Sequence, residues 1–162
     1  MLASGLALQA LYASTGGASW RQKNGWMSGD DPCAAIWYGV SCSSDRAVTS
    51  LRLNENNLGP GTIPTQLGLL TEVQSYFRLD GNRLSGTIPT ELGRLSLITR
   101  VFYLWQNDLV GALPSQLGEL TGISSSFAVS SNQLSRRLPT ELGRLSVLSS
   151  EFRLHVNQVN YI

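Results

Sequence analysis

Two cysteines (Cys33, Cys42), a single histidine (His155) and a series of arginines and aromatics at a fixed interval are the residues in this chain with chemical potential. Cys33 and Cys42 have eight residues between them. Such a pair suits a disulfide in an oxidising compartment or two thiols in a reducing one. It is not a metal site by itself, because a zinc centre needs further ligands and His155 lies far along the chain. The CxxC spacing of redox enzymes is absent. The runs Ser124-Ser125-Ser126 and Ser130-Ser131 lack a nucleophile elbow and a nearby histidine. The glycines follow a repeat and do not form a phosphate loop ahead of a helix. Glu91, Glu119 and Glu141 are scattered as solvated surface. With no acid, base, nucleophile or metal constellation, we expect no enzyme, no cofactor and no metal. What remains is recognition chemistry. One series reads Arg52, Arg78, Tyr103, Ala128, Arg153; another, two residues on, reads Asn54, Asp80, Trp105, Ser130, His155; Tyr76 and Glu151 flank them. Arginines beside exposed aromatic rings provide area, stacking and directed donors.

The elements that must position these residues follow from a period. All four phenylalanines, Phe77, Phe102, Phe127 and Phe152, are spaced by 25 residues. Pro64, Pro89, Pro114 and Pro139 keep the same step, as do Gly68, Gly93, Gly118 and Gly143, and Asn82, Asn107, Asn132 and Asn157. Asn56 lies 26 before Asn82, because an earlier copy from Leu51 has one extra residue near Gly59-Pro60. A fixed period in this range marks a stacked-repeat architecture, in which no unit buries its apolar face alone. In the clearest unit, Phe77 and Leu79 alternate with Arg78 and Asp80, the pattern of a short strand with one face buried. Asn82 turns the chain. Leu84 and Ile88 point inward again, Pro89 stands where a helical turn begins, Glu91 complements its positive end, and Gly93 is expected to end it by adopting positive φ. Leu92 and Leu95 face the core. Stacking then places the phenylalanines in one column. Asn56, Asn82, Asn107, Asn132 and Asn157 form a ladder whose amides bridge the backbones of successive coils.

Composition narrows the function. The net charge is +1 and charged residues make up 14%, too balanced for a nucleic-acid groove. No apolar run approaches a membrane span. The start, Met1 to Leu8, lacks a basic segment, and its leucines recur with helical spacing through Leu11, so an amphipathic helix is expected there rather than a secretion signal. Residues 1–46 are non-repetitive and hold Trp20, Trp26 and Trp37, expected as core. Residues 47–162 hold about four units and a partial fifth. Phe152 and Leu154 in that last unit would face water unless a further coil covers them, which points to a longer natural chain.

The units FRLDGNRLSGTIPTELGRLS and FYLWQNDLVGALPSQLGELT, and the string WYGVSC followed by AVTSLRL, resemble the plant-type leucine-rich repeat and its N-terminal cap. That resemblance implies an α/β solenoid: a right-handed leucine-rich-repeat superhelix with a parallel sheet on its concave face. It also implies a helical cap in which Cys33 and Cys42 form a structural disulfide. Members occur as receptor ectodomains and as inhibitors of cell-wall-degrading enzymes. The chain departs from the pattern in carrying 25 residues per unit rather than 24, the extra one just before the strand, and in placing Arg136-Arg137 where the unit SGTIP has Gly86-Thr87. The second short strand is therefore in doubt in that coil.

The expected function is a non-enzymatic recognition module that binds a protein, peptide or acidic glycan on the concave face. Arg52, Arg78, Asp80, Tyr103, Trp105, Arg153 and His155 form the site. Neither nucleic acid nor a membrane span is involved, and the location is extracellular or at the cell surface. Two alternatives are a fragment of a receptor ectodomain or enzyme inhibitor, and a structural or ice-binding surface working through the hydroxyl column Thr65, Thr90, Ser115 and Thr140.

Overall fold

The computed structural model describes residues 3–160. Helix α1 (Ala3–Ser14) opens the chain and buries Ala7, Leu8 and Leu11 while Leu6 stays exposed. Strands β1 (Val40–Cys42) and β2 (Val48–Arg52) pair antiparallel. The following coils contribute two short strands each, and all but the last also a 3₁₀ turn among the described residues. The strands are β3 (Gly61–Thr62), β4 (Tyr76–Arg78), β5 (Leu84–Gly86), β6 (Val101–Tyr103), β7 (Asp108–Gly111), β8 (Ser126–Ala128), β9 (Gln133–Arg137), β10 (Glu151–Arg153) and β11 (Gln158–Asn160). One sheet runs β1-β2-β4-β6-β8-β10, parallel from β2 onward, and the other runs β3-β5-β7-β9-β11.

The register aligns Leu51, Phe77, Phe102, Phe127 and Phe152 across the first sheet. Phe77, Phe102 and Phe127 are wholly buried, and their rings stack 5.3 Å apart at 10°. Leucines of every coil complete the same continuous core.

Asparagines join the layers. Asn107 shows the pattern: its Nδ2 donates to Leu104 O in its own coil and to Leu79 O in the coil before, while its Oδ1 accepts from Leu84 N. Asn82, Asn132 and Asn157 bond in the same way. The first rung, Asn56, instead exchanges both bonds with the backbone of Gln22 and ties the N-terminal segment to the stack.

The extra residue per coil has a hydrogen-bonding role. Just before the strand, Thr99 gives both its N–H and its hydroxyl to Gln74 O; Ser124 does the same to Thr99 O, and Ser149 to Ser124 O. Next to these, Ser125 and Ser126 both donate to Arg100 O, and Ser150 and Glu151 both donate to Ser125 O. Two residues facing one carbonyl absorb the insertion as a bulge would.

Two expectations are corrected. The 3₁₀ turn Thr90–Arg94 runs through Gly93 and is closed by Leu95, and Gly93 is not at positive φ. Glycine is needed there for close approach: a Cβ on Gly93 would lie 2.4 Å from Gln116 O of the next coil, and Gly68 and Gly118 meet the next coil in the same way. Arg136-Arg137 do not abolish the second strand, since β9 includes both and pairs with β7 and β11. The cost appears in the backbone. Arg136 has φ 73°, where the equivalent Gly86 and Gly111 have 72° and 81°. Arg136→Gly should raise stability by about 0.5–1 kcal/mol, the relief of left-handed strain less the added freedom of the unfolded chain. A urea titration checks this, and a loss of stability would show that the Arg136 side chain contributes more than the strain costs.

At the N-terminal end, Tyr12, Trp20, Trp26 and Trp37 interlock, with Trp26 4.7 Å from Trp20 and 4.8 Å from Trp37. A disulfide joins Cys33 and Cys42. Trp20 and Trp26 donate their indole N–H groups to Thr15 O and Tyr38 O. Buried Trp37 Nε1 has no partner among the described residues. An unpaired buried donor has already lost its water, so Trp37→Phe should change stability by less than about 1 kcal/mol, whereas Trp37→Ala should cost about 3–5. Thermal unfolding of both variants separates the N–H from the ring.

Asp31 orders the turn carrying Cys33. Its Oδ1 accepts from Cys33 N at 2.8 Å and Ala34 N at 3.2 Å, and Arg46 reaches Oδ2 at 3.1 Å. The Cys33 N–H first, then Ala34 and Arg46, hold the carboxyl below its ordinary range against an opposing desolvation. A depressed folded-state pKa stabilises above the unfolded value, about 3.9, and that contribution is lost as pH falls through the folded value. The wild type should therefore lose more stability below about pH 4 than Asp31→Asn, in which that titration is absent. Thermal unfolding midpoints of the two proteins, measured against pH, test this.

Candidate functional site

Period-two alternation sends Phe77, Leu79 and their equivalents inward and leaves the intervening residues on the open face of the first sheet. Arg52, Arg78, Tyr103, Ala128 and Arg153 are therefore consecutive in register, one per strand. Ser50, Tyr76, Val101, Ser126 and Glu151 make a parallel column before them. Asn54, Asp80, Trp105, Ser130 and His155 follow. Adjacent strands lie about 4.8 Å apart, so Arg52 and Arg153 are separated by roughly 19 Å. The seven sequence-selected residues share one face but divide into smaller groups.

The first group stacks the Arg52 guanidinium over the Tyr76 ring at 4.1 Å. The second is a clamp: Arg78 Nε and Nη2 bond Asp80 Oδ1 and Oδ2 at 3.0 and 2.8 Å, and the same guanidinium lies 5.3 Å from the Tyr103 ring centre. The fork geometry is the strongest form of such a pair. Asp80 is fully buried, and its carboxylate raises the Arg78 pKa further above its already high value. The third group pairs Arg153 with Glu151. Tyr103 spans the gap between the second and third groups, its hydroxyl 3.4 Å from Glu151 Oε2 two strands away. Trp105 is half-buried, and His155 is exposed at the far strand.

Sequence reasoning placed arginines beside aromatics but did not pair them with acids. The signal was available, because Arg78-x-Asp80, at the end of β4 and just beyond it, and Glu151-x-Arg153, on β10, each put opposite charges two residues apart on the same side of the chain. It also passed over the coil of β8, where Ser126 and Ala128 on the strand and Ser130 just beyond it are all small. The hydroxyls of Thr65, Thr90, Ser115 and Thr140 each lie against the next residue's side chain, at 3.4, 3.2, 3.4 and 3.4 Å. Among the described residues, no group of His, Cys, Asp or Glu could hold a metal ion, and no helix is long and apolar enough to cross a membrane.

A coil built from a strand on a parallel sheet, an asparagine turn, an Ile/Leu-Pro step and a leucine-glycine turn, stacked behind a disulfide-bearing cap, defines a leucine-rich-repeat solenoid. The Leucine Rich Repeat family model matches residues 75–95. The BIR3–SERK2 complex from Arabidopsis thaliana contains a chain 30% identical to this one. It aligns with a TM-score of 0.77 over 96% of this chain and 82% of that chain. The BIR2 ectodomain from Arabidopsis thaliana is 29% identical, with a TM-score of 0.81 over 96% of this chain and 80% of that one. A probable leucine-rich repeat receptor-like protein kinase of Arabidopsis thaliana is 33% identical over 85 residues, 46% of this chain and 9% of that protein. The chain belongs to the plant-type leucine-rich repeat proteins.

Proposed function

We propose that this chain is a non-enzymatic recognition module that binds a protein or peptide outside the cell through the concave face of its first sheet. The observation that carries the reading is the pair Tyr103, at the end of β6, and Trp105, two residues beyond it on the same side of the chain, both partly open to solvent near the middle of the sheet. Aromatic side chains present large contact area at low entropy cost and are enriched at the centres of interfaces. The sheet is held from behind by the phenylalanine stack and the asparagine ladder, so little ordering accompanies binding. The similarity to receptor ectodomains supports an extracellular setting and fits a disulfide-bearing cap. The curated kinase relative is far longer than the matched segment, and its catalytic activity is no part of this reading.

The test is a display library of secreted protein domains panned against the intact chain. Binders should lose about tenfold or more in affinity when Tyr103 and Trp105 are both replaced by alanine, with the near-ultraviolet spectrum and melting temperature retained. Binders indifferent to the double variant would remove the concave-face reading.

A further inference from the structure

The second sheet carries an uncompensated pair of cations. Arg136 and Arg137 close strand β9, and both side chains are exposed. The ion pairs among the described residues take Arg46, Arg78, Arg144 and Arg153, and none takes either of these two. Asp108, the acid on the neighbouring strand, opens β7. The register sets Val110 against Gln133, which leaves Asp108 about 16 Å of strand from Arg136. That exceeds the screening length of about 8–10 Å at physiological salt.

The backbone at this point is strained and its surroundings are fitted to it. Arg136 holds φ 73°, where the equivalent residues are Gly86 and Gly111. A Cβ on Gly86 would lie 2.9 Å from Thr62 Cγ2, and one on Gly111 would lie 3.0 Å from Thr87 Cγ2, each in the coil before. The residue in that place before Arg136 is Ala112, which has no Cγ2. Arginine thus stands behind a coil that has given up its threonine methyl. Strain kept at a non-glycine residue clusters at functional sites.

The rest of the face narrows the ligand. Strands β5, β7 and β9 carry no aromatic residue, and Gln133 and Ser135 lie open or half-open beside the two arginines. A stable protein interface draws its energy from aromatic anchors in its centre, and these strands have none. Hydroxyl, amide and guanidinium groups on a sheet suit a hydroxyl-rich chain that bears anions.

We infer that Arg136 and Arg137 are the centre of a second binding site, on the second sheet, for an acidic polysaccharide. A guanidinium fork meets a carboxylate or a sulfate through two parallel hydrogen bonds. Two adjacent arginines take the anions of neighbouring sugars, and Gln133 and Ser135 meet sugar hydroxyls. The concave face offers acids less, because Arg78 and Arg153 are already bonded to Asp80 and Glu151 there. The second site goes beyond the concave-face reading and does not depend on it.

The probes are alginate oligosaccharides, which carry carboxylates, and dextran sulfate, each titrated calorimetrically against the intact chain at low salt. At least one should bind, the tighter of the two identifying the anion, and its affinity should fall steeply as salt is raised. Replacing Arg136→Gly together with Arg137→Thr restores the Gly86-Thr87 pair of the SGTIP unit. That double variant should bind about fivefold more weakly or worse, with an unchanged or higher melting temperature, so that unfolding does not account for the loss. Arg136→Lys with Arg137→Lys keeps the charge without the forks and should fall between the two. Lysines that bind as well as the arginines overturn the fork. Binding unchanged by the Gly-Thr replacement, or no binding of either polymer, overturns the site. Binding lost instead in the Tyr103/Trp105 double alanine variant places the acidic ligand on the concave face and overturns the second site alone. Polyglutamate held as tightly through the same arginines overturns the saccharide in favour of an acidic protein segment.

Discussion

Replacing Phe102 by alanine should lower the unfolding free energy by about 3–5 kcal/mol. The ring is fully buried and lies between Phe77 and Phe127, 5.3 Å from each. The truncation loses two stacking contacts, each worth about 0.5–1.5 kcal/mol beyond burial, together with the apolar transfer of the ring. It also leaves a cavity whose walls cannot collapse, because the coils above and below are pinned by Asn82, Asn107 and Asn132. Phe152 is the internal control. It is 47% exposed and stacks on Phe127 at 5.6 Å. Its truncation should cost only about 1 kcal/mol, the reduced burial setting the scale. Urea unfolding of the two variants checks the ratio. Equal losses would mean that neither the fuller burial of Phe102 nor its second stacking partner sets the cost, and would overturn the account of the column.

The stack was legible because one period carried four residue types at once, and each type has a distinct physical task. Phenylalanine and leucine alternation gives strand faces, proline precedes each turn, and asparagine has the donors and acceptor to bridge layers. Gly93 was placed correctly on the turn but for the wrong reason. Positive φ is a local property and reads directly from glycine, whereas contact with Gln116 O of the next coil is a tertiary fact that no single unit displays. The role of the added residue was hidden for the same reason: Thr99, Ser124 and Ser149 look like solvated loop hydroxyls until the neighbouring carbonyls are in place. Arg136 shows the reverse. Its departure from the glycine pattern suggested a lost strand, but ladder pairing from both sides overrode the local preference and left only strain at one residue.

On the concave face, sequence gave membership but not interaction. Period and alternation placed Arg52, Arg78, Tyr103 and Arg153 in one row. Which arginine is free depends on side-chain direction along the strand, and there Asp80 and Glu151 intervene. A row of cations in a sequence thus becomes a nearly neutral surface once paired. Such a surface exerts little long-range, salt-sensitive field.

Asn82→Ala should destabilise the protein by about 3–5 kcal/mol, since each buried group left unpaired costs about 1–3 kcal/mol. The Asn82 Oδ1 accepts from Asn56 N and Leu58 N, both at 3.0 Å, and Nδ2 donates to Leu53 O, Leu79 O and Asp80 O at 2.9, 2.9 and 3.1 Å. Alanine orphans both N–H groups and leaves Leu53 O without the amide that serves it. Asn82→Asp is the more discriminating variant. It preserves shape and the acceptor, but it turns an oxygen toward three carbonyls where a donor stood. An ionised carboxylate is disfavoured there by burial and by those carbonyls, so the folded-state pKa of the introduced group must lie above the unfolded value of about 3.9. A raised pKa means that the protonated form, which can donate to a carbonyl, stabilises the fold at low pH, and this contribution disappears as pH rises through the folded value. The stability gap between Asn82→Asp and wild type should therefore be wide at neutral pH and narrow toward pH 4, with the Asp31 titration common to both proteins and cancelling from the difference. Urea midpoints of the pair at the two pH values decide it. A gap independent of pH would show that the amide at this rung is not donating, and that the layers are joined by backbone pairing and apolar packing alone.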